Sequence, residues 1–310
     1  MPINILFAAR PDRWDYYRKA LTCALDETGL SYSLSMDIPP DEVDYIVYAS
    51  NSPVQDFTPF TRAKAVLNLW AGVEKIVTNP TLKIPLTRMV GGGLAEGMVD
   101  WVTGHTFRHH LGMDTDILNP SHRWEYHIPP IAAERPVTIL GMGELGSACG
   151  TALARHGFPV TGWARRPKSL PGITCHHGDS GLTDALKGAQ IVVLLLPGTP
   201  ATENVINAQT LALLAPGAFI INPGRGTLID DDALIAALDS GQLSHATLDV
   251  FRVEPLPQDH PFWAHPKITV TPHIASETRP GPAARVIAEN VLRGERGEPF
   301  LHVVDRSAGY

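Results

Sequence analysis

An apolar stretch, Pro136 to Leu140, runs straight into Gly141-Met142-Gly143-Glu144-Leu145-Gly146, and a helical pattern follows to about His156. Few sequence features restrict a fold as tightly. A Gly-x-Gly-x-x-Gly loop between a strand and a helix needs a tight turn at its first glycine. It needs an open backbone at the second and close helix–strand packing at the third. The unit it forms is a βα unit, and such units assemble into parallel sheets.

The rest of the chain repeats this alternation. Short apolar runs at 3–8, 45–49, 65–69, 160–163, 191–196, 218–222, 246–249 and 268–271 read as strands. Helical spacing of apolar residues appears at 13–28, 94–111, 231–240 and 279–292. A proline-rich stretch from Asn119 to Pro136 separates two such series and reads as a loop or arm. The expected architecture is α/β, with two Rossmann-like doubly wound parallel-sheet domains and an active-site cleft between them. A dinucleotide-binding domain is expected over 101–274, inserted into a discontinuous substrate-binding domain of 1–100 and 275–310. A chain of 310 residues has room for two domains.

A glycine loop of this kind places a pyrophosphate at a helix N-terminus, where unpaired N–H groups and the helix dipole favour an anion. An NAD-binding chain ends its next strand in Asp or Glu, which pairs with the ribose 2′-hydroxyl. Here the strand ends Trp163-Ala164-Arg165-Arg166-Pro167-Lys168, with no acid. Guanidinium groups suit a 2′-phosphate. NADP(H) is therefore the preferred cofactor, with NAD(H) possible.

The net charge of −7 argues against a general nucleic-acid binder, which needs a basic face. Three cysteines at wide spacing form no disulfide or CxxC pattern. The first residues lack a signal-peptide pattern, and no apolar run is long enough to cross a bilayer. A cytoplasmic protein with no membrane partner is expected. His105, His109 and His110 share a predicted helix, but no carboxylate or cysteine cluster joins them, so no metal site is expected.

Three segments place ionisable residues just past apolar strands. They are Asn222-Pro223-Gly224-Arg225, Asp249-Val-Phe-Arg-Val-Glu254-Pro255, and Thr271-Pro-His273-Ile-Ala275. The carboxyl edge of an open α/β sheet is where ligands bind. Singly, each residue is unremarkable. In this order after a glycine loop, the chain resembles the D-isomer-specific 2-hydroxyacid dehydrogenase family. Within that family its likeness is to the glyoxylate/hydroxypyruvate reductase A type. The likeness also includes Leu195-Leu196-Pro197 and the tail from Val304 to Tyr310.

The resemblance implies an enzyme that reduces a small 2-oxo acid, of glyoxylate or hydroxypyruvate type, by hydride transfer from NAD(P)H. Arg225 would bind and polarise the substrate. His273 would act as general acid and base, and Glu254 would pair with it. The resemblance makes Tyr48 and the loop Trp70-Ala71-Gly72 substrate contacts. It makes Met142, Glu144, Leu145, Trp163, Leu196, Pro197, Thr202, Asn222, Pro223, Gly224, Asp249 and Ala275 cofactor-side contacts, beside Gly141, Gly143, Gly146, Arg165 and Arg166. A homodimer is implied, with helix 94–111 and the arm around Trp124 as its interface. Gly91-Gly92-Gly93 departs from the family pattern. Two alternatives stay open: a family member acting on another 2-hydroxy acid, and a non-catalytic NAD(P)-sensing binding protein of corepressor type.

Overall fold

The computed structural model of the protein describes residues 2–91, 93–119, 122–124 and 126–306. The chain divides into two compact units. One comprises Met1–Leu94 with Thr278–Tyr310, and the other Ala95–Glu277.

In the first unit, β1 (Ile3–Ala8), β2 (Tyr32–Ser35), β3 (Tyr45–Tyr48), β4 (Ala65–Asn68) and β5 (Leu86–Thr87) form a parallel sheet in the order β2-β1-β3-β4-β5. Alternate residues of each strand face opposite sides. Tyr45 and Val47 therefore join a core under α1 (Pro11–Asp26), while Ile46 and Tyr48 join another with Phe57, Ile76 and Leu82. The returning C-terminal helix packs on α1 through Ala283, Ala284, Ile287 and Val291. The Tyr17 hydroxyl donates to the Thr278 carbonyl at 2.9 Å, tying α1 to the start of that return.

The second unit begins with α2 (Leu94–Leu111) and α3 (Met113–Leu118). A boundary at 100/101 would fall inside the unbroken α2, whereas the units divide at its first residues. Seven strands follow: β6 (Val137–Leu140), β7 (Val160–Ala164), β8 (Ile173–His177), β9 (Ile191–Leu194), β10 (Ala218–Asn222), β11 (Leu243–Leu248) and β12 (Ile268–Val270). All are parallel, in the order β12-β11-β10-β9-β6-β7-β8. Helices α4 (Glu144–Arg155), α5 (Gly178–Leu186), α6 (Ala208–Leu211) and α7 (Asp231–Ser240) connect them, and α8 (Pro280–Glu295) is the returning helix of the first unit. Val192 and Leu194 point into a core with α5 and α7, and Ile191 and Val193 into one with α2 and α4. Strand order reverses between β6 and β9, so the crevice beyond their carboxyl ends is the natural ligand position. Among the described residues, no helix is long and apolar enough to cross a membrane.

Three strands escape the sequence pattern: β2, β5 and β8. Each lies at or near a sheet edge, and β2 and β8 carry mostly polar or half-exposed residues. Edge strands need no continuous apolar run, so periodicity does not reveal them.

The histidines of α2 are packing elements. His109 is 3% exposed, lies within hydrogen-bond distance of the Thr247 hydroxyl (2.9 Å) and stacks on Phe219. His245 pairs with Thr269 at 2.8 Å. Burial, then the neighbouring charges of His245, Arg108 and His105, pushes His109 down to about 2. Burial, then Arg108, pushes His245 down to about 4. The unfolded chain binds protons at these sites below the ordinary value of 6.5, while the folded chain does not. Their contribution to stability is present above that pH and is lost as pH falls toward the folded values. For His109 the loss is about 1.4 kcal/mol per pH unit once the unfolded form is protonated. Thermal unfolding between about pH 7 and about pH 5 should therefore show a shallower acid decline for His109→Gln than for wild type. Parallel declines would mean that this histidine is not the titrating group.

Candidate active site

Three neighbouring strand ends are stepped together by backbone bonds. The Asp249 N–H donates to the Asn222 carbonyl (3.0 Å), the Thr271 N–H to Leu248 (2.9 Å) and the His273 N–H to Asp249 (2.9 Å). The parallel register of β10, β11 and β12 thus continues past the strands, into the segments that carry Arg225, Glu254 and His273.

His273 Nδ1 lies 2.8 Å from Glu254 Oε2. The other carboxylate oxygen, Oε1, accepts from the Phe251 N–H at 2.9 Å, which closes a short turn. The imidazole keeps 54% of its side-chain surface exposed. The hydrogen bond that His273 donates to Glu254 holds its pKa above 6.5, against burial, and the charges of Glu254 and Asp249 add to the rise. Burial alone would raise Glu254. The bonds from His273 and Phe251, with the charges of His273 and Arg225, outweigh it and hold this carboxyl below its usual value. The pair is therefore a carboxylate and an imidazole biased toward its protonated form.

His273 has a φ of 56°, the left-handed region that a side chain other than glycine rarely occupies. Such strain persists only where the surroundings over-determine it. Asp249 does so here. It is fully buried, and its Oδ1 accepts from the Thr271 hydroxyl (2.6 Å) and the Ile274 N–H (2.9 Å). Its Oδ2 accepts from the Ala275 N–H (2.9 Å). One carboxylate thus grips the residues on both sides of His273.

Arg225 lies in a turn shaped by Asn222, whose side chain donates to the Arg225 carbonyl (3.0 Å) and accepts from the Gly224 N–H (3.1 Å). The Arg225 Nη1 donates to the Gly224 carbonyl at 2.6 Å. Its positive charge lowers the pKa of both Glu254 and His273, so it lies within electrostatic reach of the pair. Gly226 makes this closeness possible. A Cβ there would run into the backbone of Phe251 and Arg252.

The glycine loop sits at the reversal between β6 and β9. Gly141 has a φ of 110°, and a Cβ on it would meet the Leu195 carbonyl carbon at 2.5 Å. The Trp163 carbonyl accepts from the Gly141 (2.9 Å) and Met142 (3.2 Å) N–H groups. A Cβ on Gly146 would strike the Gly141 carbonyl, while one on Gly143 would meet nothing within 4 Å. No side chain caps α4 at Gly143, so the first-turn N–H groups stay available to an anion. Arg165 and Arg166 are exposed just past β7. Lys168, which sequence reasoning passed over as a site residue, donates from Nζ to the Met142 carbonyl (2.5 Å) and to Ser147 Oγ (2.9 Å). It brings a third cation onto the glycine loop itself. In the loop after β9, the Thr202 hydroxyl donates to the Pro197 carbonyl at 2.6 Å.

In the first unit, the segment after β4 is shaped by Asn68, another residue that sequence reasoning missed. Its buried side chain donates to the Trp70 (2.8 Å) and Gly72 (3.1 Å) carbonyls. A trans peptide points its N–H opposite its carbonyl. The Ala71 and Val73 N–H groups therefore turn away from Asn68. The signal was a lone polar residue ending an otherwise apolar strand, Ala65-Val-Leu-Asn68.

Residues 105–275 match the family model described as D-isomer specific 2-hydroxyacid dehydrogenase, NAD binding domain. The chain is 40% identical over 257 residues to the glyoxylate/hydroxypyruvate reductase A of Serratia proteamaculans (strain 568), covering 80% of this chain and 82% of that protein. The chain belongs to the D-isomer-specific 2-hydroxyacid dehydrogenase family. A solved member from Xanthobacter autotrophicus Py2, in complex with NADPH and MES, is 40% identical with a TM-score of 0.92, covering all of both chains. The NADPH-dependent glyoxylate/hydroxypyruvate reductase of Sinorhizobium meliloti, in complex with NADP and sulfate, is 31% identical with a TM-score of 0.85. It covers 100% of this chain and 99% of that one.

The residues expected from the 2-hydroxyacid dehydrogenase resemblance to contact substrate or cofactor differ in burial. Tyr48 is 1% exposed, packs on Phe57 and accepts at its hydroxyl from Gln55 Nε2 (3.3 Å). These contacts all lie within the first unit. The Trp163 indole is buried and donates to the Gly178 carbonyl at 2.8 Å, and Met142 fills the space beside Gly162. Leu196, Asn222, Asp249 and Ala275 are buried as well, and Pro223 and Gly224 lie in the same covered turn. These residues shape the edge. Gly143, Glu144, Arg165, Arg166, Glu254 and His273 are exposed, and Leu145, Pro197, Thr202 and Arg225 partly so. Of the Gly91–Gly93 run, Gly91 and Gly93 have positive φ and Gly92 lies outside the described residues, as does the tail from Ser307. No group of three or more His, Cys, Asp or Glu side chains that could hold a metal is found among the described residues.

Proposed function

We propose that this protein reduces a small 2-oxo acid, of the glyoxylate or hydroxypyruvate type, with NADPH as the hydride donor. The observation that carries this is the His273–Glu254 pair, half-exposed, biased toward imidazolium and within reach of the Arg225 charge at the sheet's carboxyl edge. The names of the Serratia and Sinorhizobium relatives support the substrate class. The uncapped α4 N-terminus and the open Gly143 fit a pyrophosphate, and Arg165, Arg166 and Lys168 fit a 2′-phosphate. The NADPH-bound relative supports that choice.

When bound, the nicotinamide supplies the hydride. Arg225 binds the substrate carboxylate and polarises the 2-oxo group with its planar donors. Glu254 occupies Nδ1 of His273, leaving Nε2 to give its proton to the carbonyl oxygen. In the reverse direction neutral His273 takes that proton back. The exposed Ile117, Leu118, Trp124 (97%), Tyr126 (84%), Ile128 and Ile131 form an apolar run of the kind that covers a second copy, which supports a homodimer.

Mixing the protein with NADPH and glyoxylate or hydroxypyruvate should give turnover, followed at the cofactor absorbance. His273→Ala should lower kcat by about a hundredfold or more. Because reduction needs protonated His273, kcat/KM should fall as pH rises through a value above 6.5, and Glu254→Gln should move that fall to lower pH. Cofactor binding without turnover on any 2-oxo acid would support a binding protein instead. Replacing both Arg165 and Arg166 with Ala should raise KM for NADPH by about tenfold, while leaving KM for NADH nearly unchanged. Light scattering should give a dimer mass that Trp124→Ala weakens; a monomer at all concentrations would remove the dimer from the proposal.

A further inference from the structure

Arg252 follows Phe251 in the segment that carries Glu254 and reaches toward the segments that carry Thr202 and Arg225. About a third of its side chain is exposed, at 32%. Its Nη2 donates to the Ile229 carbonyl at 2.5 Å and to Asn204 Oδ1. Its Nη1 lies 3.5 Å from a Glu203 oxygen, and its Nε lies 3.7 Å from an Asp231 oxygen. The two ion pairs are loose and exposed enough to contribute little alone. The fork onto a carbonyl and an amide is directional, and only a guanidinium presents donors in that plane.

The segments it joins are those that carry the site. Asn204 and Glu203 follow Thr202 in the loop after β9. Ile229 and Asp231 follow Arg225, and Arg252 itself is two residues before Glu254. The first two segments already pair: the Asn204 N–H donates to Thr227 (2.9 Å), the Ile206 N–H to Leu228 (3.0 Å) and the Asp230 N–H to Ile206 (2.8 Å). Asn204 takes a φ of 51° to make its part of this contact. Arg252 reaches across that pairing from the third segment. The third segment is the turn that Glu254 closes on the Phe251 N–H, resting on Gly226.

We propose that Arg252 is a positioning residue that pins the Glu254 turn onto the Arg225 and Thr202 segments, and so holds the Glu254 carboxylate on His273. The proposal rests on the 2-oxo acid reductase reading of the same site. Without the pin, the turn keeps its backbone contact at Gly226 but loses its lateral tie, and Glu254 spends less time on Nδ1. A shift of about an ångström at such a contact is enough to cost a large factor in rate. Burial raises the Asp231 pKa, and the nearby charges of Arg252 and His260 oppose that. The charged groups facing Arg252 are Glu203 and Asp231, with Asp230 and Asp232 beyond; those facing His273 are Glu254, Asp249 and Arg225.

The test is the pH profile of kcat/KM for NADPH-dependent reduction of hydroxypyruvate by Arg252→Gln and Arg252→Lys, beside Glu254→Gln and the double variant Arg252→Gln/Glu254→Gln. Arg252→Gln should lower kcat by about tenfold or more, change KM less, and move the alkaline fall to lower pH. Arg252→Lys should restore part of the rate and part of the shift. The double variant should fall no further than Glu254→Gln, because both act on one contact. A wild-type profile in Arg252→Gln overturns the proposal. So does a variant that only melts at lower temperature with its alkaline fall unmoved, since a structural role alone would do that. If Arg252→Gln does not fold, the lysine variant decides by the same shift. Wild-type protein that binds NADPH but turns over no 2-oxo acid would overturn the reductase reading itself, a failure distinct from an inert Arg252.

Discussion

A fully buried carboxylate organises this site. Asp249 leaves the end of β11 and receives a hydroxyl and two backbone N–H groups from residues 271, 274 and 275. A carboxylate stripped of water is costly unless its oxygens are saturated with donors. The segment past β12 folds around it to supply them, and that fold forces His273 into left-handed backbone. The position of the candidate acid is thus a consequence of where β11 ends. The parallel register of β10, β11 and β12 brings the starts of the segments that carry Arg225 and Glu254 side by side.

The pair that results balances two demands. A general acid must be reachable by substrate, so it cannot be deeply buried, yet it must keep its proton near neutrality. His273 meets the first demand with half its side chain exposed. It meets the second through Glu254, whose own carboxylate is kept ionised by the bonds from His273 and the Phe251 N–H despite burial. The Arg225 charge pulls the other way on His273. That opposition is useful: the same cation that would grip a carboxylate also makes the imidazolium a readier donor.

The central strands and the glycine loop were legible in the sequence because both obey strict local rules. Buried parallel strands read as apolar runs, and Gly141, Gly143 and Gly146 each answer to a different steric demand. The edge strands β2 and β8 were not legible, because half-exposed residues such as Ser33, His176 and His177 hide the pattern. Arg225, Glu254 and His273 could be picked out as ionisable residues following strands. Tyr48 and Trp163 were named through the family resemblance, and the sequence carries no sign of how their polar tips are paired. In the fold these tips are satisfied internally, by Gln55 and by the Gly178 carbonyl. Lys168 was overlooked for a similar reason: a lysine in a basic loop carries no mark of the carbonyl it will meet, here Met142.

The residues that position this site differ in kind from its candidate reactive side chains. Arg225, Glu254 and His273 are legible as ionisable residues that follow strands in a set order. Gly226 matters because a Cβ there would strike the backbone 25 or so residues further on, and Asp249 because it bonds a segment from the next strand. Asn68 matters because it turns two carbonyls inward. Each acts through a contact between parts of the chain that only the folded state brings together, so no local pattern encodes it. A chain could therefore keep Arg225, Glu254 and His273 and still lose their arrangement by changing one of these. The converse also holds. Because a single buried carboxylate and a single glycine fix most of the geometry, the surrounding loops are free to vary in the side chains that would choose one 2-oxo acid over another.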